Sequence, residues 1–189
     1  MIKDLVLKNR SYRRFYEEEH ISTEDLKSFV DLARLSPSGS NLQPLKFILS
    51  NQKETNKAIF NNLAWAGYLK DWDGPIKSER PSAYIIILGD KNPIKSFDYD
   101  IGIVCQSMLL GAVEKGYGGC IFGSIKRIPL SAELKVAEHL KIQLIIALGK
   151  PKEVIQIDPV KNGNIKYWRD ENEVHHLPKR DLDDLIIEL

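Results

Sequence analysis

One strongly apolar helix, predicted from Phe97 to about Lys115, most constrains the fold of this chain. Apolar residues recur along it at helical spacing, and Gly116 follows as a typical helix-ending residue. A run from Tyr84 to Leu88, bounded by Pro81 and Gly89, predicts a buried strand for such a helix to cover. The apolar face of the helix consists of Ile101, Cys105, Met108, Leu109, Ala112 and Val113.

Shorter elements interleave with these two, and they predict a layered α/β or α+β domain. Periodicity alone does not separate the two classes. At 189 residues the chain is expected to form a single domain, 1–189. Residues 65–82 predict a loop or lid, and apolar periodicity is missing from 152 to 181. The other predicted elements are a helix after Ser22, strands at 45–49, 119–122 and 143–148, a helix capped by Asn51 that runs to about Leu63, and a short helix starting at Ser131.

Charge and cysteine usage exclude several classes of function. The chain has 27 basic and 26 acidic residues, a net charge of +1, which argues against a nucleic-acid-binding or membrane-surface protein. Two cysteines and four histidines show no zinc-ligand spacing, so we expect no metal site. No apolar stretch approaches the ~20 residues of a membrane span. We therefore expect a cytoplasmic protein with neither a nucleic-acid nor a membrane partner.

Common catalytic fingerprints are also missing. The sequence has no G-x-G-x-x-G, no complete P-loop, no G-x-S-x-G and no H-E-x-x-H. A Rossmann dehydrogenase, a P-loop NTPase, an α/β hydrolase and a zincin protease are therefore poor candidates.

Arginines near the N-terminus form the first candidate site. Arg10, Ser11, Arg13 and Arg14 lie within five positions and suit a phosphate, because arginine supplies forked donors and serine another hydrogen bond. The alternative is a solvated basic turn.

A loop of small residues at 36–44 forms the second candidate site. Gly39 permits a positive φ, and Asn41 and Gln43 offer amide donors and acceptors. Such a loop lets the backbone approach a planar ligand closely, although an ordinary helix-capping loop is the alternative.

Two weaker segments follow. Glycines at 116–123 flank a short strand and allow a ligand against backbone N–H groups, or they only end a helix and form a turn. Lys179 and Arg180 form a basic pair near the C-terminus, which on a plain interaction module would contact an acidic partner.

Taken together and in this order, these segments resemble the FMN-dependent nitroreductase family over essentially the whole chain. The most specific parts are the R-S-x-R cluster and the P-S-x-x-N-x-Q-P loop. The resemblance implies an α+β fold with a central, mainly antiparallel sheet flanked by helices. It also implies a homodimer in which a C-terminal arm, 152–189, wraps the partner subunit. A physical motive agrees, since an arm without apolar periodicity has little to bury against its own domain.

The resemblance also implies which residues bind FMN. Arg10, Ser11 and Arg13, with Lys179 or Arg180, would hold the phosphate, while Arg14 is expected to face solvent. Many members carry a basic residue where Asn9 stands, so one possible charge is missing here. The flavin ring and its ribityl chain would contact Pro37, Ser38, Ser40 and Asn41 with Gln43 as a supporting partner, and backbone at Gly119, Gly123 and Ser124.

The activity implied is that of an FMN-dependent NAD(P)H oxidoreductase. NADH or NADPH would reduce the flavin, and a nitroaromatic, quinone or similar small-molecule acceptor would then take the hydride in a ping-pong reaction. No catalytic side chain is expected, because the flavin carries the chemistry. A flavin-binding sensor or carrier without significant turnover is the alternative.

Overall fold

The computed structural model describes residues 1–90 and 98–188, and within them it has five α-helices and eight strands. Two short 3-10 turns lie at Gly39–Asn41 and Asp183–Leu185. The helices are α1 (Ile2–Lys8), α2 (Thr23–Leu35), α3 (Lys53–Asn61), α4 (Asp98–Glu114) and α5 (Arg127–Glu133). The strands are β1 (Phe15–Tyr16), β2 (Leu45–Ser50), β3 (Ala83–Asp90), β4 (Gly118–Phe122), β5 (Leu140–Pro151), β6 (Ile155–Pro159), β7 (Trp168–Arg169) and β8 (His175–Lys179).

The main sheet is antiparallel throughout its strand pairs. Strand β3 lies between β2 and β5, with Ile86 opposite both Ile48 and Ile145. The other edge of β5 is shared, because β4 pairs with its middle and β1 pairs with its end at Lys150 and Pro151. Helices cover both faces of the sheet, so the expected α+β architecture is confirmed.

Two apolar cores lie on opposite faces of this sheet. Ile85 and Ile87 of β3 pack with α2 and α4, whereas Tyr84 and Ile86 pack with Ile59 of α3 on the other face. Successive strand side chains point to opposite faces, so a strand buried on both sides must be apolar at every position. This accounts for the uninterrupted apolar run of β3.

Helix α4 is the predicted apolar helix, and all six residues of its predicted face are buried. Its predicted first residue, Phe97, lies outside the described residues. Helix α2 also confirms its predicted start, since the Ser22 side chain accepts a hydrogen bond from the Asp25 N–H at 2.9 Å. No helix in the described ranges is long and apolar enough to cross a membrane.

Two helix boundaries differ from the prediction. Helix α3 has Gln52, not Asn51, at its N-cap, because the Asn51 amide instead donates to the Ile21 carbonyl at 3.1 Å. Helix α5 begins at Arg127 rather than Ser131. Pro129 lies in its first turn, where a helix needs no N–H donor and tolerates proline.

The C-terminal arm contains a second, small sheet that sequence periodicity did not predict. Strand β8 pairs in parallel with β6 and antiparallel with β7. The sheet contacts its own chain through the buried Glu153, which binds Arg169 at 3.0 Å and accepts the Arg13 backbone N–H. Glu153 and His175 are buried against their own chain, whereas the other residues of 152–179 are half-buried or exposed, so the expectation that this arm has little to bury against its own domain stays a prediction.

The last described residues are different. Leu182, Leu185, Ile186 and Ile187 are between 58% and 86% exposed. This short apolar segment is one part of the arm that its own chain leaves uncovered, and Val154, Ile165 and Trp168 are also exposed.

Candidate functional site

Helix α4 positions both of the main candidate segments. Asn9, next to the arginines, donates from its amide to Gln106 at 3.1 Å, and the Ser36 and Ser107 hydroxyls lie 2.7 Å apart. Asp100 binds the start of the 36–44 loop from one turn into the helix. Asp100 and Gln106 are separated by about 9 Å along the helix axis at 1.5 Å per residue. The arginines and the loop therefore flank one rigid element.

The buried Asp100 carboxylate fixes the 36–44 loop. One of its oxygens accepts from the Ser38 hydroxyl at 2.6 Å, and the other accepts from the Gly39 N–H at 2.9 Å. The Ser38 oxygen in turn accepts from the Gln43 N–H at 2.9 Å. Three hydrogen bonds through one carboxylate and one hydroxyl thus set the conformation of the loop.

Left-handed backbone in this loop falls on residues other than glycine. Ser40, Asn41 and Gln43 have φ of 49°, 56° and 50°. Gly39, which permits a positive φ, does not adopt one. Non-glycine residues in this region are strained and occur often at functional sites, where the surrounding structure holds them. Here the Gln43 amide helps, by donating to both the backbone and side-chain oxygens of Asn41 at 3.2 Å.

A cavity of about 240 Å³ opens beside this loop. Pro37, Ser38 and Gln43 line it, opposite Lys46 and Phe47 of β2. Ser40 and Asn41 lie in the adjoining exposed 3-10 turn. The loop residues predicted to contact a planar ligand therefore lie at or beside a cavity whose lining includes the aromatic Phe47 and the cations Arg34 and Lys46.

Within residues 1–90 and 98–188, the guanidinium groups of Arg10 and Arg13 form no ion pair with a carboxylate. Arg10 donates to the Val6 carbonyl at 2.5 Å, and its Nε is buried without a partner. Arg13 donates to the Ser11 carbonyl at 3.2 Å and lies 4.6 Å from the centre of the Tyr167 ring. Ser11, between them, is exposed and pairs with Gly119 of β4. Two cations are thus available to an anion, and the Ser11 side chain between them also hydrogen-bonds with Cys120.

Arg14 is paired instead, so the expectation that it faces solvent is wrong. Its guanidinium binds both oxygens of the buried Glu79, at 2.6 and 2.9 Å, and binds Glu173 at 2.7 Å. Lys152 also reaches Glu79 at 2.9 Å. Hydrogen bonding to Arg14, against the opposing effect of burial, lowers the pKa of Glu79 to about 2. Arg14 therefore has a structural role in tying β1 to the 65–82 loop.

The glycines of the third segment lie at separate places along β4. A Cβ on Gly119 would come within 2.7 Å of the Ala147 carbonyl and of Leu109, so glycine is required there for packing. Gly123 follows about 13 Å further along the strand direction at about 3.3 Å per residue. Its carbonyl accepts from Arg127 at 3.1 Å, and the Ser124 carbonyl accepts from the Ala64 N–H at 3.0 Å.

Lys179 and Arg180 lie away from the N-terminal arginines. They are exposed at the end of β8, and neither forms an ion pair within the described residues. His175 begins the same strand beside Arg13, which places Lys179 about 13 Å further along it. Pro178, next to them, lines a second cavity of about 410 Å³ with Lys161, Lys166, Trp168 and His176. The basic pair therefore lies at the end of β8 opposite to the residue that contacts Arg13.

Sequence reasoning missed three residues around Arg13, namely Tyr167, His175 and Glu153. All three belong to the arm and are more than 135 positions from Arg13 along the chain, so no local pattern marks them. His175 is buried, and burial, with the charges of Arg13 and Arg169, lowers its pKa to about 4.

The two cysteines are buried and far from thiolate character. Burial raises the pKa of Cys105 to about 12 and that of Cys120 to about 11. In the ranges that the structure describes, no group of three or more His, Cys, Asp or Glu residues could hold a metal ion.

The protein is therefore an α+β domain in which one helix, α4, positions both a cationic cluster and a polar loop. A family model described as the nitroreductase family matches residues 6–150, which is more than half of the chain. The chain belongs to the nitroreductase family, and this relationship supports an oxidoreductase role.

Individual relatives agree with this assignment. A protein of Archaeoglobus fulgidus, provisionally named NADH dehydrogenase/NAD(P)H nitroreductase, is 26% identical over 74% of this chain and 80% of its own length. A nitroreductase family protein from Streptococcus pneumoniae matches all of both chains with a TM-score of 0.73 at 14% identity. An FMN-dependent nitroreductase from Clostridium difficile matches 81% of this chain and 88% of its own, with a TM-score of 0.63 at 24% identity.

Proposed function

We propose that this protein is an FMN-dependent NAD(P)H oxidoreductase that passes electrons to nitroaromatic, quinone or similar acceptors. The observation that carries the proposal is the contrast among three neighbouring arginines. Arg14 is neutralised by Glu79 and Glu173, whereas Arg10 and Arg13 contact no carboxylate on either side of the exposed Ser11. Two half-buried cations without a counter-charge cost free energy of folding, and a bound anion would offset that cost.

The residues present fit the phosphate of FMN. The buried, unpartnered Nε of Arg10 is an unused donor, and the Arg13 guanidinium has donors beyond its bond to the Ser11 carbonyl. The Ser11 hydroxyl supplies a third group. One phosphate site without a second favours FMN over FAD.

The 36–44 loop fits the flavin ring and ribityl chain. Asp100 and Ser38 hold the loop before any ligand arrives, so its exposed amides at Asn41 and Gln43 are pre-organised for hydrogen bonding. When bound, FMN supplies reversible hydride transfer between the nicotinamide and the acceptor. The protein binds and orients it, which agrees with the lack of a catalytic triad in the sequence.

A homodimer with shared flavin sites follows from the same geometry. Lys179 and Arg180 lie at the end of β8 opposite to His175, which contacts Arg13, and we propose that a second copy of the chain supplies this basic pair to the phosphate. Apolar side chains are exposed on α1 and α4, including Ile2, Leu7 and Ile103, and on the segment 182–188. We propose that the partner subunit covers these surfaces and that the distal arm crosses to it.

The flavin released from the purified protein tests the proposal. Heat release and chromatography are expected to give FMN at about one per chain, and stopped-flow mixing with NADH or NADPH is expected to bleach its absorbance. Reoxidation by a quinone or nitroaromatic in a second mixing step would complete the cycle. Recovery of FAD, or of no flavin after reconstitution with FMN, would contradict the proposal. Binding without reduction would instead favour the sensor or carrier.

A further inference from the structure

His175 is a buried imidazole whose one hydrogen-bond contact is with a cation. It is 1% exposed, its Nε2 lies 3.4 Å from the Arg13 Nη1, and its Nδ1 has no partner in the described part of the chain. Arginine only donates hydrogen bonds, so Nε2 must accept and the ring proton must be on Nδ1. The ring is therefore held in one neutral tautomer.

Within the described residues, the groups that hydrogen-bond to or stack on the Arg13 guanidinium are neutral. They are the Ser11 carbonyl, the Tyr167 ring and His175, and the two rings lie 5.2 Å apart. The nearby acid Glu153 accepts the Arg13 backbone N–H with one oxygen and binds Arg169 with the other. Both carboxylate oxygens of Glu153 therefore bind groups other than the Arg13 guanidinium.

Charge explains why a histidine suits this position. A carboxylate in its place would pair with Arg13, as Glu79 pairs with Arg14, and would cancel the charge that an anion needs. An apolar side chain would leave the guanidinium without an acceptor to orient it. A neutral acceptor fixes the guanidinium and leaves its charge available.

We propose that His175 is a positioning residue, which holds Arg13 as an oriented, uncompensated cation for the phosphate of the flavin. The inference rests on the proposed function and deepens it. It gives His175 of the small C-terminal sheet a role at the phosphate site, although the His175 side chain itself does not contact the ligand. Tyr167 shares this role from the loop before β7.

The test compares phosphate recognition among variants of the full-length protein at position 175. Dissociation constants for FMN and for riboflavin, which lacks the phosphate, are measured by quenching of flavin fluorescence. The dissociation constant for riboflavin divided by that for FMN reports the contribution of the phosphate alone. His175→Gln keeps a neutral acceptor, and His175→Glu has the same length but adds a negative charge. His176→Gln is the matched control, since His176 lies in the same strand and bonds to Asp158 and Asp170 instead.

We expect the ratio to stay within about threefold of wild type for His175→Gln and His176→Gln, and to fall at least tenfold for His175→Glu. If thermal melts show that His175→Glu is unfolded, His175→Phe takes its place, with an expected fall of several-fold because the acceptor is lost. A wild-type protein that does not prefer FMN would contradict the proposed phosphate site itself. A wild-type preference that survives in His175→Glu, or in the substitute His175→Phe, would overturn only the role of His175.

Discussion

The Arg14 guanidinium binds Glu79 through both of its oxygens, at 2.6 and 2.9 Å, although the two residues are 65 positions apart. Glu79 is 6% exposed and lies in the irregular 65–82 loop, while Arg14 immediately precedes β1. Lys152, just after β5, contributes a second cation. This cluster ties the loop to the edge of the main sheet and, through Glu173, to the arm.

The first prediction is that Arg14→Ala destabilises the protein by about 2–3 kcal/mol. Removing one partner leaves a buried carboxylate with only Lys152, which compensates in part. Denaturant unfolding measures the change. Arg34→Ala is the matched control, because Arg34 forms an exposed pair with Asp31 within one helix and should cost less than about 0.5 kcal/mol. Equal losses in the two variants would argue against a special role for the Glu79 pair.

The second prediction concerns acid pH. The folded-state pKa of Glu79 is about 2, below its ordinary value of 4.5, because Arg14 and Lys152 stabilise the carboxylate. A lowered folded pKa adds stability above the unfolded pKa, and this stability is lost as the pH falls through the folded pKa. The shift corresponds to about 3 kcal/mol, lost progressively between about pH 5 and pH 2. Unfolding free energies of wild type should therefore fall more steeply over this window than those of Glu79→Gln, and parallel curves would contradict the assignment.

The third prediction concerns the loop anchor. Asp100→Ala removes both acceptors for Ser38 and Gly39, so it should cost about 1.5–3 kcal/mol of stability and should also weaken flavin binding. Asp100 does not need to touch the ligand for this effect, because the loop would lose its fixed conformation. Glu114→Ala, exposed at the other end of α4, is the control and should change neither quantity. Unchanged flavin affinity in Asp100→Ala would show that the loop holds its shape without the carboxylate.

The parts of the fold that burial stabilises were predictable from the sequence. Helix α4 and strand β3 carry enough apolar residues that their type and approximate bounds follow from periodicity. Helix α1 was not predicted, because it is seven residues long and buries none of them. Strands β6 and β8 were missed because polar contacts such as Glu153–Arg169 hold their sheet, and these leave no period in the sequence.

The site was predictable as a set of segments but not as an arrangement. The sequence placed Arg13 and Arg14 side by side, with Arg13 expected at the phosphate and Arg14 expected to face solvent. Their actual neighbours were not predictable, because the partner of Arg14 comes from position 79 and the neighbours of Arg13 come from the arm. The conformation of the 36–44 loop was likewise not predictable. Gly39 permits a positive φ, but Ser40 and Asn41 are the residues that adopt one.

The fourth prediction uses the stacking of Trp168 on His176, whose rings are 4.0 Å apart and nearly parallel. Hydrogen bonds to Asp158 and Asp170 raise the pKa of His176 above its ordinary value of 6.5. The charged His176 ring stabilises the folded state fully below the unfolded pKa, and this stabilisation is lost as the pH rises through the folded pKa. Trp168 emission should therefore titrate with a midpoint above 6.5, as quenching by the charged ring is relieved. Trp168→Phe and His176→Gln should each abolish this titration, and a midpoint below 6.5 would contradict the pairing.

The last prediction is that removing residues 182–189 dissociates the proposed dimer and releases FMN. Leu185, Ile186 and Ile187 are 63%, 58% and 86% exposed, and each would gain about 1.5–3 kcal/mol if a partner subunit buried it fully. The cut lies beyond β8, which ends at Lys179, so the small sheet and the contacts of His175 should survive it. Light scattering measures the mass of each protein, and flavin absorbance measures FMN per chain. Trp168 emission that still titrates in the truncated protein would show that the small sheet is intact. A full-length protein that is monomeric with one FMN per chain would contradict the shared site, because Lys179 and Arg180 could then not serve the phosphate held by Arg10 and Arg13.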